Sequence, residues 1–241
     1  MLTNLLKTFI ISFLTIVSLN ASSLVEDGYL ELQKGNTLEA MNIFSNACEA
    51  GAYSGCYNLG LIYYKGEYIA KNHAKAFNYF SKACEDGHQA ACFNLAYMYE
   101  NGQGVQKDAL KAIDLYKKTC EEGLNSSCYN LANMYDNAHG VAQDKFKAVE
   151  YLIKACNLDH PKACFNLAYK YNNEEGVEKM PLKAISLYEK ACNLGYGQAC
   201  YNLGVMYLDG EYLAKNTVQA KVYFKKGCDL KYEKACQEYS K

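Results

Sequence analysis

Apolar residues recur along this 241-residue chain at helical spacing, and the whole pattern returns every 36 residues. In residues 56–65, Cys56, Leu59, Gly60 and Tyr63 fall at i, i+3, i+4 and i+7, one apolar seam of a helix. A polar loop follows, typified by NGQGV at residues 101–105, whose glycines permit the positive-φ turn that stops a helix. A second helical pattern then starts at a capping column, Asn72, Asp108, Asp144 and Asn216. In the fourth unit that column is Met180, followed by Pro181 at the first helical position, where proline is tolerated. The second helix carries Ala76, Ala112, Ala148, Ala184 and Ala220 in one column, small enough for close helix approach. It runs through Lys82, Lys118, Lys154, Lys190 and Lys226, cations suited to the negative end of a helix dipole. The pattern therefore predicts an all-α array of helix hairpins in five full units. A shorter hairpin is expected ahead of it, residues 24–34 and 37–50, with Asn36 and Glu39 spaced as a capping box. KYEKACQEYSK supplies a polar closing helix, as stacked repeats require at their ends.

The cysteines sharpen this picture. They stand at 48, 56, 84, 92, 120, 128, 156, 164, 192, 200, 228 and 236, in pairs eight apart, each pair offset by 36. The second cysteine of each pair is expected to open the next unit's first helix. On one continuous helix, partners eight apart would be separated by about 12 Å, beyond the reach of a disulfide, so a bridge demands that the chain turn back between them. Bridges between cysteines 28 apart would also join helix ends, but they leave Cys48 and Cys236 unpaired. Bridges eight apart use all twelve: Cys48 with Cys56, Cys84 with Cys92, Cys120 with Cys128, Cys156 with Cys164, Cys192 with Cys200, and Cys228 with Cys236. Each would contribute about 2.5 kcal/mol in the loop-entropy picture.

Twelve cysteines also point to an oxidising compartment. The N-terminus agrees: Lys7 precedes an apolar run over residues 9–19 and small residues, the layout of a signal peptide over residues 1–21 cut near Ala21. The run is short for a membrane anchor, and nothing after it is long and apolar enough to span. The mature chain, residues 22–241, is expected to be secreted or periplasmic. A net charge of −1 and the lack of any arginine argue against a nucleic-acid partner.

The shared string A/S-C-Y/F-N-L-G/A-x-x-Y, followed by G-V, K-A and Y-x-K-A-C, resembles the Sel1-like repeat, a relative of the tetratricopeptide repeat. The cysteine pair in every unit resembles more narrowly the Helicobacter cysteine-rich proteins. The resemblance implies a right-handed α-solenoid of 36-residue hairpins stapled by disulfides between cysteines eight apart. It also implies an exported protein, and, for some members, penicillin binding or β-lactamase activity. Of the residues such a hydrolase needs, S-x-x-K, S-D-N, K-T-G and G-x-S-x-G strings are all absent. His73, His88, His139 and His160 are scattered across units, so neither a metal nor another cofactor is expected.

The column that asks for an explanation is Asn58, Asn94, Asn130, Asn166 and Asn202, because asparagine is a mediocre residue inside a helix. Two readings remain open. The asparagines form a ladder of amides bonding between neighbouring repeats, or they line a groove in which each amide both donates to and accepts from a peptide backbone. One turn along the same face stand Leu61, Tyr97, Asn133, Tyr169 and Val205, and a turn further Lys65, Asn101, Asn137, Asn173 and Asp209. A constant amide beside variable neighbours suits a peptide or protein ligand. In related tetratricopeptide repeats the first helix lines the concave surface, and asparagines there bind ligand backbone. A peptidoglycan fragment or β-lactam is the partner implied by the resemblance alone. The recurrent tyrosines Tyr63, Tyr99, Tyr135, Tyr171 and Tyr207 fall on the seam and read as core.

Overall fold

The computed structural model describes residues 23–241; the expected signal peptide and its cut near Ala21 lie outside the described residues. Among the described residues there are thirteen helices and no strand. In chain order they are α1 (residues 23–33) and α2 (Thr37–Glu49), then α3 (Tyr53–Lys65) with α4 (His73–Glu85), and α5 (Gln89–Asn101) with α6 (Ala109–Glu121). There follow α7 (Asn125–Asp136) with α8 (Lys145–Asn157), α9 (Pro161–Asn173) with α10 (Pro181–Asn193), α11 (Gly197–Asp209) with α12 (Thr217–Asp229), and α13 (Glu233–Tyr239). The fold is an α-solenoid of helix hairpins, and the chain divides within α6 into two compact units, 23–115 and 116–241. Within each unit the contacts run almost wholly between helices adjacent in sequence.

The expected caps start the second helices. The side chains of Asn72, Asp144 and Asn216 each accept a 2.9 Å hydrogen bond from the backbone N–H three residues on, and Asp108 does so at 3.1 Å. Each satisfies a backbone donor that the helix itself cannot, a contribution of about 1 kcal/mol. Pro181 opens α10 where Met180 offers no capping atom. The capping box at α2 does not form. The Asn36 amide donates instead to the Glu31 carboxylate at 2.7 Å, and its side chain makes no capping bond. The charge-assisted bond to a carboxylate on α1 is the stronger one and sets the orientation of the Asn36 side chain, whose Oδ1 then accepts from no backbone N–H of α2.

Six disulfides join cysteines eight apart, each between the end of one helix and the start of the next. All six enclose the same turn. The residue three beyond the first cysteine takes positive φ: Gly51, Gly87, Gly123, Asp159, Gly195 and Lys231. Its N–H bonds to that cysteine's carbonyl, and the next N–H reaches the carbonyl just before the cysteine, as in Gly87 to Cys84 and His88 to Ala83. This paired closure is the Schellman arrangement, which satisfies carbonyls left open at a helix end. The following helix begins three residues before the second cysteine rather than at it, as Pro161 does before Cys164.

Bridge Cα atoms lie only 4.5–4.8 Å apart, so the residues preceding each cysteine must be small. They are Ala83 with Ala91, Ala155 with Ala163, and Ala191 with Ala199, all fully buried. At Gly55 a Cβ would meet the Phe44 carbonyl oxygen at 2.6 Å. Thr119 and Ser127 keep the rule with buried hydroxyls bonded at 2.6 Å.

The column Ala76, Ala112, Ala148, Ala184 and Ala220 is fully buried, and large side chains interdigitate around it. Phe44 and Phe80 fill unit 23–115, while Leu131, Met134 and Leu203 fill unit 116–241. Lys170 departs from the pattern: its side chain is 5% exposed where other units place Ile62, Met98, Met134 or Met206. Its ammonium is held by Asp136 at 2.8 Å and Glu175 at 3.6 Å, and pairing is what makes a buried charge tolerable.

Candidate ligand-binding faces and their side pockets

The asparagine column sits on the first helix of each full hairpin, and two of its amides, Asn58 and Asn166, are hydrogen-bonded to tyrosine hydroxyls. Tyr29 donates to Asn58 Oδ1 at 2.8 Å, and the Tyr57 hydroxyl lies beside Asn94. In the other unit the Asn166 amide donates to Tyr129 Oη at 3.5 Å, and the Tyr188 hydroxyl lies beside Asn202. Burial pushes the Tyr57 and Tyr188 hydroxyls up, so both stay neutral at physiological pH. Asn130 is half-buried on the corresponding face of α7. At Asn58 and Asn166 the partner is an aromatic hydroxyl of the neighbouring hairpin.

An amide has four hydrogen-bonding positions, and one tyrosine uses one of them. Asn58 is 3% exposed, and its Nδ2 is buried without a partner. One turn along, Tyr97 and Tyr169 are 39% and 47% exposed, while Leu61, Asn133 and Val205 are half-buried. The outermost row is different in kind. Asn101, Asn137 and Asn173 donate to the carbonyls of Tyr97, Asn133 and Tyr169 four residues back, at 2.9–3.0 Å. That row therefore closes helix ends.

Two of the four histidines, His88 and His160, share a column two periods apart. His88 and His160 cap α5 and α9, their Nδ1 atoms accepting from Ala91 and Ala163 N–H at 3.2 Å. Their rings stack 4.4 Å from Tyr57 and Tyr129. Burial holds both below the ordinary histidine range, and a neutral ring is what accepting at Nδ1 requires. Among the described residues no group of three or more His, Cys, Asp or Glu side chains is placed to hold a metal ion.

A cavity of about 310 Å³ opens beside Asn202, lined by Asn172, Tyr188, Tyr201, Val205, Met206, Asp209, Glu211 and Tyr212. A smaller one of about 170 Å³ lies beside Asn58, lined among others by Leu61, Ile62, Lys65, Glu67 and Tyr68. The two occupy the same register in the first and fifth hairpins. The signal for both was in the sequence: GEYIAKN at residues 66–72 and GEYLAKN at residues 210–216. Where the middle hairpins put Gly104, Gly140 and Gly176, these loops put Tyr68 and Tyr212. A Cβ at Gly104 would meet the His73 carbonyl carbon at 2.4 Å, so the middle loops have no room for such a ring in their conformation.

The Sel1 repeat family model matches residues 54–88, 89–124, 125–160, 161–196 and 197–232. No curated protein matches in sequence comparison. Among solved structures, the chain is similar to a protective antigen of uropathogenic Escherichia coli displaying an SLR fold, 27% identical, with a TM-score of 0.84. That similarity covers 94% of this chain and 50% of the antigen, so the chain spans half the length of that protein. A Sel1 repeat protein of Oxalobacter formigenes is 24% identical over 89% of this chain and 87% of its own, with a TM-score of 0.79. Cysteine-rich protein B of Helicobacter pylori is 36% identical over 54% of this chain and 94% of its own, with a TM-score of 0.45.

Proposed function

This chain belongs to the Sel1 repeat family, and from that premise we propose that it is an exported scaffold binding an extended peptide or protein segment along the asparagine-bearing faces of its first helices. The observation that carries this reading is the state of the asparagine column. Tyrosine hydroxyls hold the Asn58 and Asn166 amides while leaving hydrogen-bonding capacity unspent, and exposed Tyr97 and Tyr169 stand one turn along the same face. Fixed amides recognise a peptide backbone whatever its sequence, and the variable neighbours choose among side chains. Six disulfides suit an oxidising, extracytoplasmic setting, and a signal peptide over residues 1–21 would deliver the chain there. Mature residues 22–241 would then act as a single repeat array.

The test is the triple variant Asn94→Ala, Asn130→Ala, Asn166→Ala, measured against a peptide selected from a displayed random library on the oxidised chain. The expected result is a loss of at least tenfold in affinity with helical circular dichroism unchanged. Undiminished affinity would end the groove reading.

A further inference from the structure

The second helices carry an apolar column that their seams do not account for. Leu38, Leu110, Phe146, Leu182 and Val218 stand at the second position of α2, α6, α8, α10 and α12, and each is exposed. In unit 116–241 three of them come together, because α8, α10 and α12 lie side by side in register. Lys190 Nζ donates to the Cys156 carbonyl at 2.7 Å, the Tyr223 hydroxyl to Glu189 at 3.2 Å, and Lys226 Nζ to Asn193 Oδ1 at 2.6 Å. Phe146, Leu182 and Val218, 78%, 70% and 75% exposed, therefore form one row at the N-terminal ends of these helices. Met180 extends the row, beside an open hollow of about 340 Å³ that it shares with Pro181, Leu182 and Lys183. Exposed apolar side chains are ordinary when scattered; gathered into a row they mark an interaction surface.

The charge around the row identifies what covers it. Within three residues of Phe146, Leu182 and Val218 stand six exposed lysines, Lys145, Lys147, Lys179, Lys183, Lys215 and Lys221, and one carboxylate, Asp144. The rest of unit 116–241 has the opposite balance, eleven lysines against fourteen carboxylates. Asp144 is already engaged, capping α8 and lying 3.2 Å from Lys147. Just outside, Glu150 is paired with Lys154 at 3.1 Å, and Glu178 is exposed. Tyrosine rings hold two of the cations in place, Lys147 over Tyr135 at 5.3 Å and Lys183 over Tyr171 at 4.3 Å. A lysine head is a point charge suited to phosphate, and its stem packs on apolar surface. Projecting apolar groups set among cations match a bilayer interface, where the first reach the acyl boundary and the second the headgroups. We propose that this face docks the protein on a bilayer with anionic phosphate headgroups, Phe146, Leu182 and Val218 entering the interface and the six lysines lying among the phosphates. It uses the second helices, not the asparagine-bearing first helices, and stands whether or not a peptide binds there.

The chain has no tryptophan, so Phe146→Trp puts a single fluorescent reporter in the row. The experiment uses the disulfide-intact chain without residues 1–21, whose apolar run would itself enter lipid; every described helix is kept. Vesicles of mixed phosphatidylethanolamine and phosphatidylglycerol should shift the tryptophan emission to the blue, and brominated acyl chains should quench it. In co-sedimentation the chain carrying Phe146 should partition onto these vesicles at least tenfold better than onto phosphatidylcholine alone. Phe146→Ser, Leu182→Ser, Val218→Ser, three exposed changes made together, should lower that partition at least tenfold with helical circular dichroism unchanged. Lys145→Gln, Lys179→Gln, Lys215→Gln should lower it severalfold. Failure to partition onto the anionic vesicles, or equal partition of the serine variant, overturns the proposal. So does binding to polyglutamate as tight as to the vesicles with the tryptophan emission unmoved, which would assign the face to an acidic protein instead.

Discussion

At His88 and His160 a neutral ring nitrogen does the work that Asn72 and Asn216 do elsewhere in the repeat. Protonation would turn each acceptor into a donor aimed at an N–H, and burial opposes the charge. The folded pKa of both lies below the unfolded value of about 6.5. Between those two values the unfolded chain binds more protons, so stability is full above about pH 6.5 and falls as pH drops toward the folded pKa. We expect the urea midpoint to fall between pH 7.5 and 5.5. We expect His88→Asn, His160→Asn, which keeps a capping acceptor that does not titrate, to flatten that slope; an equal slope in the variant removes the argument. Single residues were the least legible scale. Asn36 and Glu39 have the spacing of a capping box, yet Glu31 on the neighbouring helix takes the amide. Lys170 reads as a surface residue until packing places it opposite Asp136, and a one-dimensional pattern carries no such partner.

Elements were legible almost to their ends, because capping residues and seam columns repeat and check one another. What escaped was the conformation of the stop. The column Gly66, Gly102, Ala138, Glu174 and Gly210 takes positive φ in every hairpin, glycine or not. A side chain there crowds the following carbonyl, at about 1–2 kcal/mol for a non-glycine residue, partly offset by the greater freedom glycine has when unfolded. Ala138→Gly and Glu174→Gly should therefore each raise stability by about 0.5–1 kcal/mol, read as a higher urea midpoint at constant slope. Neutral or destabilising results would mean that neighbouring contacts, not backbone strain, govern this turn. The two pocket-bearing loops also belong to this scale. Their likeness, GEYIAKN against GEYLAKN, was visible, but the cavity needs the three-dimensional placement of Asn172 on the preceding hairpin.

For the whole molecule the period decided the fold, and the bridges decide how it comes apart. Each disulfide joins consecutive hairpins, whereas the packing inside a hairpin is the denser of the two. The covalent links thus reinforce the weaker interfaces of an array stabilised only by its neighbours. The other ten cysteines are buried, between Cys84 at 6% exposed and Cys200 at 0%, while Cys228 and Cys236 at the C-terminal end are half-buried. Under native conditions dithiothreitol should open Cys228–Cys236 first, the others yielding only on unfolding, as timed alkylation and peptide mapping will read. Uniform loss of all six would contradict the burial order. The division within α6 had no signal in the sequence, since the 36-residue rhythm runs through it unchanged.

The eight-residue spacing of every bridge has a consequence for assembly. Twelve thiols admit on the order of ten thousand complete pairings, yet here each finds its mate within its own turn. Closing that short loop costs about 1 kcal/mol less than closing one of 28 residues. The correct partner is therefore also the nearest, and it is available as soon as a single turn has been synthesised. Oxidation becomes six separate local decisions instead of one global search. A chain built this way can grow by a whole 36-residue cassette without making its own folding problem any harder.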